Sequence, residues 1–260
     1  RSRSVFARCF AADGSPLGAA FEVGEAHEGN DGLPNAVCES GSTFALVWAR
    51  TDAHGRPAGI FGRRISATGG ALGAEVEISP RDDALHIEPA LAANARGELL
   101  VGWLTARGED YVPSLRLLRP AAHSADAPVW TLSPVRTFAP QTGGYTSGLD
   151  VALRNDGRAL VAWSSFGEER KKAGLFAQAF EPDLAPSAEV VHLSLFREGD
   201  QRIEAAVGSH RLAFSDDGRI ACAWSGNSGQ GDEKSANLSL WLPTALDLEA
   251  LVARAAQLPT

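Results

Sequence analysis

Phe44-Ala45-Leu46-Val47-Trp48 is an apolar run closed by tryptophan, and it recurs three more times. The copies are Leu99-Leu100-Val101-Gly102-Trp103, Ala159-Leu160-Val161-Ala162-Trp163 and Ile220-Ala221-Cys222-Ala223-Trp224. The four tryptophans fall 55, 60 and 61 residues apart, which marks an internal repeat of one supersecondary unit. Before each run stands a second short apolar stretch and a turn: Ser40-Gly41, Arg96-Gly97, Asn155-Asp156-Gly157 and Asp216-Asp217-Gly218. Asp-Gly between two apolar runs is a hairpin signal, because glycine tolerates the positive φ that a tight turn needs. Each unit therefore opens with an inner strand, a turn and a strand ending in Trp.

A third strand follows each run: Ile60–Ile65, Leu115–Arg119, Leu175–Phe180 and Leu238–Leu242, with a fifth copy at Val5–Phe10. A fourth strand follows a short turn at Phe21-Glu22-Val23, Val76-Glu77-Ile78, Val129–Leu132 and Val190–Leu193, with Leu251–Arg254 in the last slot, where its pattern also fits a short helix. The Trp strands are apolar on both faces, large at Leu46, Val101, Val161 and Cys222 and small at Val47, Gly102, Ala162 and Ala223. Sheets stacked between neighbours need two buried faces, whereas a two-layer sandwich shows polar alternation on one. The expected fold is all-β and β-propeller-like, with four complete four-stranded blades and an N-terminal half blade. It forms a four- or five-bladed ring or part of a larger one. The chain is read as one domain, 1–260, with repeats at about 1–34 (the half blade), 35–88, 89–148, 149–209 and 210–260.

The stretch Val5-Phe6-Ala7-Arg8-Cys9-Phe10-Ala11-Ala12-Asp13-Gly14-Ser15-Pro16-Leu17-Gly18, with the later apolar run ending in Trp, resembles the repeats of bacterial secreted and surface propeller proteins. The resemblance covers nearly the whole chain. It implies an architecture and a secreted, periplasmic or cell-surface location, and it leaves function open between lectins, adhesins and hydrolase accessory domains.

Composition narrows the function classes. A net charge of −8 lacks the basic footprint of a nucleic-acid binder. No apolar run approaches the roughly 18 residues of a membrane span. The absence of methionine predicts a chain that is mature, processed or trimmed, any signal peptide being already gone. Cys9, Cys38 and Cys222 make no zinc spacing, and whether Cys9 and Cys38 are bonded is left open.

Loops on one face of a propeller surround the mouth of the central channel and commonly carry function. Here they place His27, Asp31, His86, Glu88, Tyr145 and His210 as ligand-binding candidates. The repeated tryptophans read as blade core, with Trp130 and Trp241 as the better surface candidates. Neither HExxH nor an EF-hand loop occurs, so no metal and no cofactor is assigned, calcium on scattered oxygens being compatible with the sequence but not indicated. GxSxG is absent too.

The leading expectation is a non-catalytic secreted or envelope binding or assembly module, taking a protein partner or glycan on the inter-blade loop face. The alternatives are a glycan-active hydrolase or lyase with acidic and His residues at the channel mouth, and a sugar-binding lectin. The half blade further predicts a protein partner or an upstream segment that supplies its inner strand pair.

Overall fold

The computed structural model describes residues 3–121, 129–138, 146–166, 173–193, 201–202, 211–226 and 235–241. Every described element is a β-strand, and each apolar-Trp run is the second strand of a sheet. The N-terminal half blade pairs β1 (Phe6–Ala7) with β2 (Phe21–Glu22). The first complete sheet holds β3 (Asn30–Ser40), β4 (Thr43–Thr51), β5 (Pro57–Ser66) and β6 (Ala71–Glu77) in that order. The second holds β7 (His86–Ala93), β8 (Leu99–Arg107), β9 (Asp110–Pro120) and β10 (Trp130–Leu132), with β11 (Arg136–Thr137) also on β9. The third runs β12 (Thr146–Leu153), β13 (Ala159–Phe166), β14 (Ala173–Phe180) and β15 (Val191–His192). In the fourth, β16 (Gln201–Arg202), β17 (Leu212–Phe214) and β19 (Ser235–Trp241) all pair with β18 (Ile220–Gly226). All pairings among the described residues are antiparallel, and the fold is β-propeller-like, as the repeat predicts.

Turn chemistry explains the hairpins. In three inner hairpins the first turn residue donates its N–H to the carbonyl four residues on, as Asn94 does to Glu98, Arg154 to Arg158 and Ser215 to Arg219. The fourth turn residue must then be left-handed, and Gly97, Gly157 and Gly218 supply φ values of 74°, 90° and 86°. These turns are also stitched from blade to blade. Asn155 Oδ1 accepts from the Ala95 N–H at 2.6 Å, and Asp216 Oδ1 accepts from the Asn155 N–H at 3.1 Å.

Packing follows the alternation along the Trp strands. The face bearing each tryptophan looks toward the preceding sheet: Trp48 and Leu46 pack with Val5 and Val23, Trp103 with Ala45, Val47 and Ile78, Trp163 with Leu100 and Leu104, and Trp224 with Ala162 and Ala177. Trp48, Trp103 and Trp163 have no exposed surface, so they are core, not sugar platforms. The opposite face looks toward the following sheet and carries the small residues. Gly102 shows why: a Cβ there would sit 2.7 Å from Val151 and 2.8 Å from Leu149 of the next sheet.

Two expectations need correction. Trp130 is not a surface residue: it is 1% exposed, and its indole N–H donates to Glu39 Oε1 at 2.8 Å, beside the Arg64 guanidinium that pairs with the same carboxylate. The outermost strand is buried there because β10 packs against the first complete sheet. Nor is the last Trp strand buried on both faces, since Ala223 is exposed while Cys222 is wholly buried. The Trp241 side chain and the last proposed strand at 251–254 lie outside the described residues. All three cysteines are free thiols, and burial, with the nearby Asp150 charge, pushes the Cys222 thiol up to about 12.

Candidate functional site

The inner strands β3, β7 and β12 stand side by side in that order, and β17 stands beside β12. Each of the first three begins with a β-bulge: the register shifts between Gly32 and Asn35, between Ile87 and Ala90, and between Ser147 and Leu149. At each shift one residue is left-handed: Leu33 (φ 54°), Glu88 (φ 54°) and Gly148 (φ 56°). Glycine adopts this readily, but Leu33 and Glu88 do not, and such strain costs about 1–3 kcal/mol per residue. Bulges of this kind re-aim side chains and are enriched beside active sites. Three consecutive blades therefore share one device at the same end of their innermost strands.

Side chains join these starts across the blade boundaries. Asn35 Nδ2 donates to the Pro89 carbonyl at 2.7 Å, and the Gly148 N–H donates to Glu88 Oε2 at 3.1 Å. Asp150 Oδ2 accepts from the N–H groups of Arg211 at 2.6 Å and Leu212 at 2.9 Å, and its Oδ1 accepts from the Val151 N–H. Burial raises the Glu88 pKa above the ordinary glutamate value, and the Gly148 hydrogen bond and the Arg211 charge offset that only in part. An upward shift moves a carboxyl in the direction that general acid catalysis requires.

Of the sequence candidates, His27 and Asp31 are brought together: His27 Nε2 lies 3.1 Å from Asp31 Oδ1. The pair is not a solvated rim. Asp31 is 4% exposed and is gripped by Arg50, whose Nε and Nη2 donate to its two oxygens at 2.8 and 3.1 Å. Arg50 also donates to both oxygens of Glu75, at 2.5 and 2.8 Å, and lies over the Phe61 ring at 4.2 Å. Burial pulls the Arg50 guanidinium down, but the hydrogen bonds and charges of Asp31 and Glu75 outweigh it and hold the group above its ordinary value. Arg50 of β4 thus ties Asp31 of β3 to Glu75 of β6.

His86 is likewise interior, 3% exposed, on the first residue of β7. The Trp103 indole N–H donates to its Nδ1 at 3.1 Å. Nδ1 is therefore the acceptor, so the neutral ring carries its proton on Nε2 and donates it to Asp82 Oδ1 at 2.9 Å. Thr105 Oγ1, 3.1 Å from Nδ1, continues the chain through Ser114 to Thr137. The repeat pattern alone puts Asp31 and His86 in loops. They are strand residues because the inner strands begin at Asn30 and His86, where neighbouring blades already cover them. Tyr145 and His210 lie outside the described residues, as do the charged run at 168–172 and the glycine-rich stretch at 227–231.

Sequence reasoning missed Arg50, Glu75, Asp150 and Arg211. Only Asp150 carried a local signal, as a lone carboxylate within the apolar strand segment 149–153. Among the described residues no cluster of His, Cys, Asp and Glu has the arrangement to hold a metal ion.

No protein-family model matches the chain. No curated protein matches it either. Solved structures do. An endo-arabinase from Bacteroides thetaiotaomicron superposes with a TM-score of 0.52 at 12% identity, covering 88% of this chain and 83% of that one. A structure described as a glycoside hydrolase gives 0.46 at 8% identity, covering 95% and 76%. One described as a putative glycosidase, also from Bacteroides thetaiotaomicron, gives 0.41 at 12% identity, covering 84% and 70%. At these identities the likeness to the endo-arabinase concerns the fold, and it agrees with the blade architecture derived from the repeat.

Proposed function

We propose that this chain is a glycan-active β-propeller of the hydrolase type, with Glu88 as the proton-donating carboxyl at the end of the channel where the inner strands begin. The observation that carries this reading is Glu88 itself: a half-buried glutamate with a raised pKa, on a left-handed bulge, beside a backbone N–H and an arginine charge. Glycosidic cleavage asks for such a carboxyl to protonate the leaving oxygen. The likeness in fold to a protein described as an endo-arabinase makes a polysaccharide the first substrate class to test. A secreted, periplasmic or surface location suits a polysaccharide substrate, and among the described residues no helix is long and apolar enough to cross a membrane.

A second reading, a non-catalytic module that binds a glycan or a protein partner, has one observation in its favour. Hydrolysis needs a second carboxylate, about 5–10 Å from the first. Asp31 and Asp150 are both engaged, one by Arg50 and His27 and the other by backbone N–H groups of β17 and its neighbour. One experiment separates the two. The chain is incubated with arabinan, xylan, galactan and β-glucan, and new reducing ends and retardation in glycan-loaded gels are both followed. Release of reducing ends from at least one polymer is the expected result. Retardation without release selects the binding module, and neither response removes glycan from the account.

A further inference from the structure

Glu88 is held by groups from both neighbouring blades. Between the pairs Ile87–Leu104 and Ala90–Gly102, β7 has two residues, Glu88 and Pro89, where β8 has only Trp103. Neither of the two takes a rung of that ladder. Glu88 is left-handed although it precedes a proline, which ordinarily keeps the residue before it extended. Such a conformation persists only where its surroundings over-determine it. The Pro89 carbonyl accepts from Asn35 Nδ2 of β3 at 2.7 Å, and the Glu88 carboxyl accepts from the Gly148 N–H of β12 at 3.1 Å. The bulge is thus clamped by its backbone from one blade and by its side chain from the other.

Asn35, Ala90 and Asp150 hold one register position in successive blades, opposite Val47, Gly102 and Ala162. In the first and third blades the side chain there reaches the next inner strand. Asn35 donates to Pro89, and Asp150 accepts from the N–H groups of Arg211 and Leu212. Ala90 has no polar group to reach with, and Glu88 spans the boundary to β12 instead. The aim of that carboxyl therefore depends on its backbone, and the polar side chain that grips this backbone comes from β3. Asn35 is itself aimed by the bulge of its own strand, whose register shifts between Gly32 and Asn35. We propose that Asn35 is the positioning residue of the candidate site: its carboxamide fixes the Glu88–Pro89 backbone so that the Glu88 carboxyl rests on the Gly148 N–H. This role rests on the reading of Glu88 as the proton donor, for which misplacement by about 1 Å costs on the order of a hundredfold in rate.

The test follows the Gly148 amide proton of the whole chain by NMR as pH is varied, because an N–H bonded to a carboxyl shifts as that carboxyl titrates. In the unaltered chain this titration should share the midpoint of the Glu88 carboxyl. In Asn35→Ala the pH-dependent shift at Gly148 should shrink about threefold or more, as the contact lengthens past hydrogen-bonding range. Asn35→Asp keeps the size, removes the donor and sets a carboxylate against the Pro89 carbonyl. It should act in the same way, and it serves where the alanine variant folds poorly. On the polysaccharide that the chain cleaves, both variants should lose about 10- to 100-fold in kcat with KM within about twofold, the pattern of an interaction made in the transition state. A Gly148 titration that is unchanged in both variants overturns the proposal even if turnover falls, and so does a lost titration with kcat unchanged. If the titration is lost in the variants but the unaltered chain cleaves no polysaccharide, Asn35 still positions Glu88, and it is the hydrolase reading that falls.

Discussion

Glu88→Gln is expected to lose about a hundredfold to ten-thousandfold in turnover on the responsive polysaccharide, the range that one positioned general acid contributes. The amide keeps an oxygen to accept the Gly148 N–H and fills the same volume, so geometry is preserved while the transferable proton is gone. The same change should raise thermal stability at neutral pH. Burial raises the Glu88 pKa in the folded chain above its unfolded value, so the native state binds the proton more tightly. Stability attached to this group is therefore present below the unfolded pKa and lost as pH rises through the folded one. The variant removes that loss, so its advantage should appear at neutral pH and vanish below the ordinary glutamate range. Melting curves across pH check this. A variant that is inactive but less stable at every pH points instead to a purely structural carboxylate.

Gly102→Val is expected to destabilise the chain by about 2–3 kcal/mol, the cost of overpacking a close-packed interface. The first added carbon already falls 2.7 Å from Val151 and 2.8 Å from Leu149, both buried residues of the following inner strand, and valine adds two methyls beyond it. For a chain of this size that corresponds to a fall of about 5–10 °C in Tm. Gly41→Ala is the control. Nothing lies within 4 Å of the added atom, its backbone needs no positive φ, and it should change stability by no more than about 0.5 kcal/mol. If the two variants behave alike, the second and third sheets are not packed face to face as described.

The contrast between these positions shows what a sequence carries. The tryptophan-closed runs, their turns and the third and fourth strands were legible because each depends on local alternation and on glycine at one turn position. Gly102 and Ala162 were legible as a small face by the same alternation. The site was less so. Asp31 and His86 look like loop polars in sequence, yet their environments are made by groups distant along the chain. Arg50 and Glu75 come from β4 and β6, and the Trp103 indole comes from β8. Trp130 reads as an outlying aromatic until Glu39, 91 residues earlier, is found to accept its N–H. The bulges leave a trace in the sequence. Leu33-Pro34 and Glu88-Pro89 share the 55-residue offset of the first two tryptophans, and a repeated residue–proline pair entering an inner strand marks a distorted strand start. Glu88 was singled out from sequence as an acidic rim residue. Its partial burial against the neighbouring β12 and its left-handed backbone belong to the tertiary fold.

The central claim is that Glu88 is a proton donor in a glycan site, and its side-chain carboxyl can be watched directly. Carbon-13 chemical shifts of that carboxyl, assigned with Glu88→Gln and followed against pH with and without the responsive oligosaccharide, report its protonation. The account requires a midpoint above that of exposed glutamates and a displacement of the curve when glycan binds. A midpoint in the ordinary range that no glycan moves would contradict it.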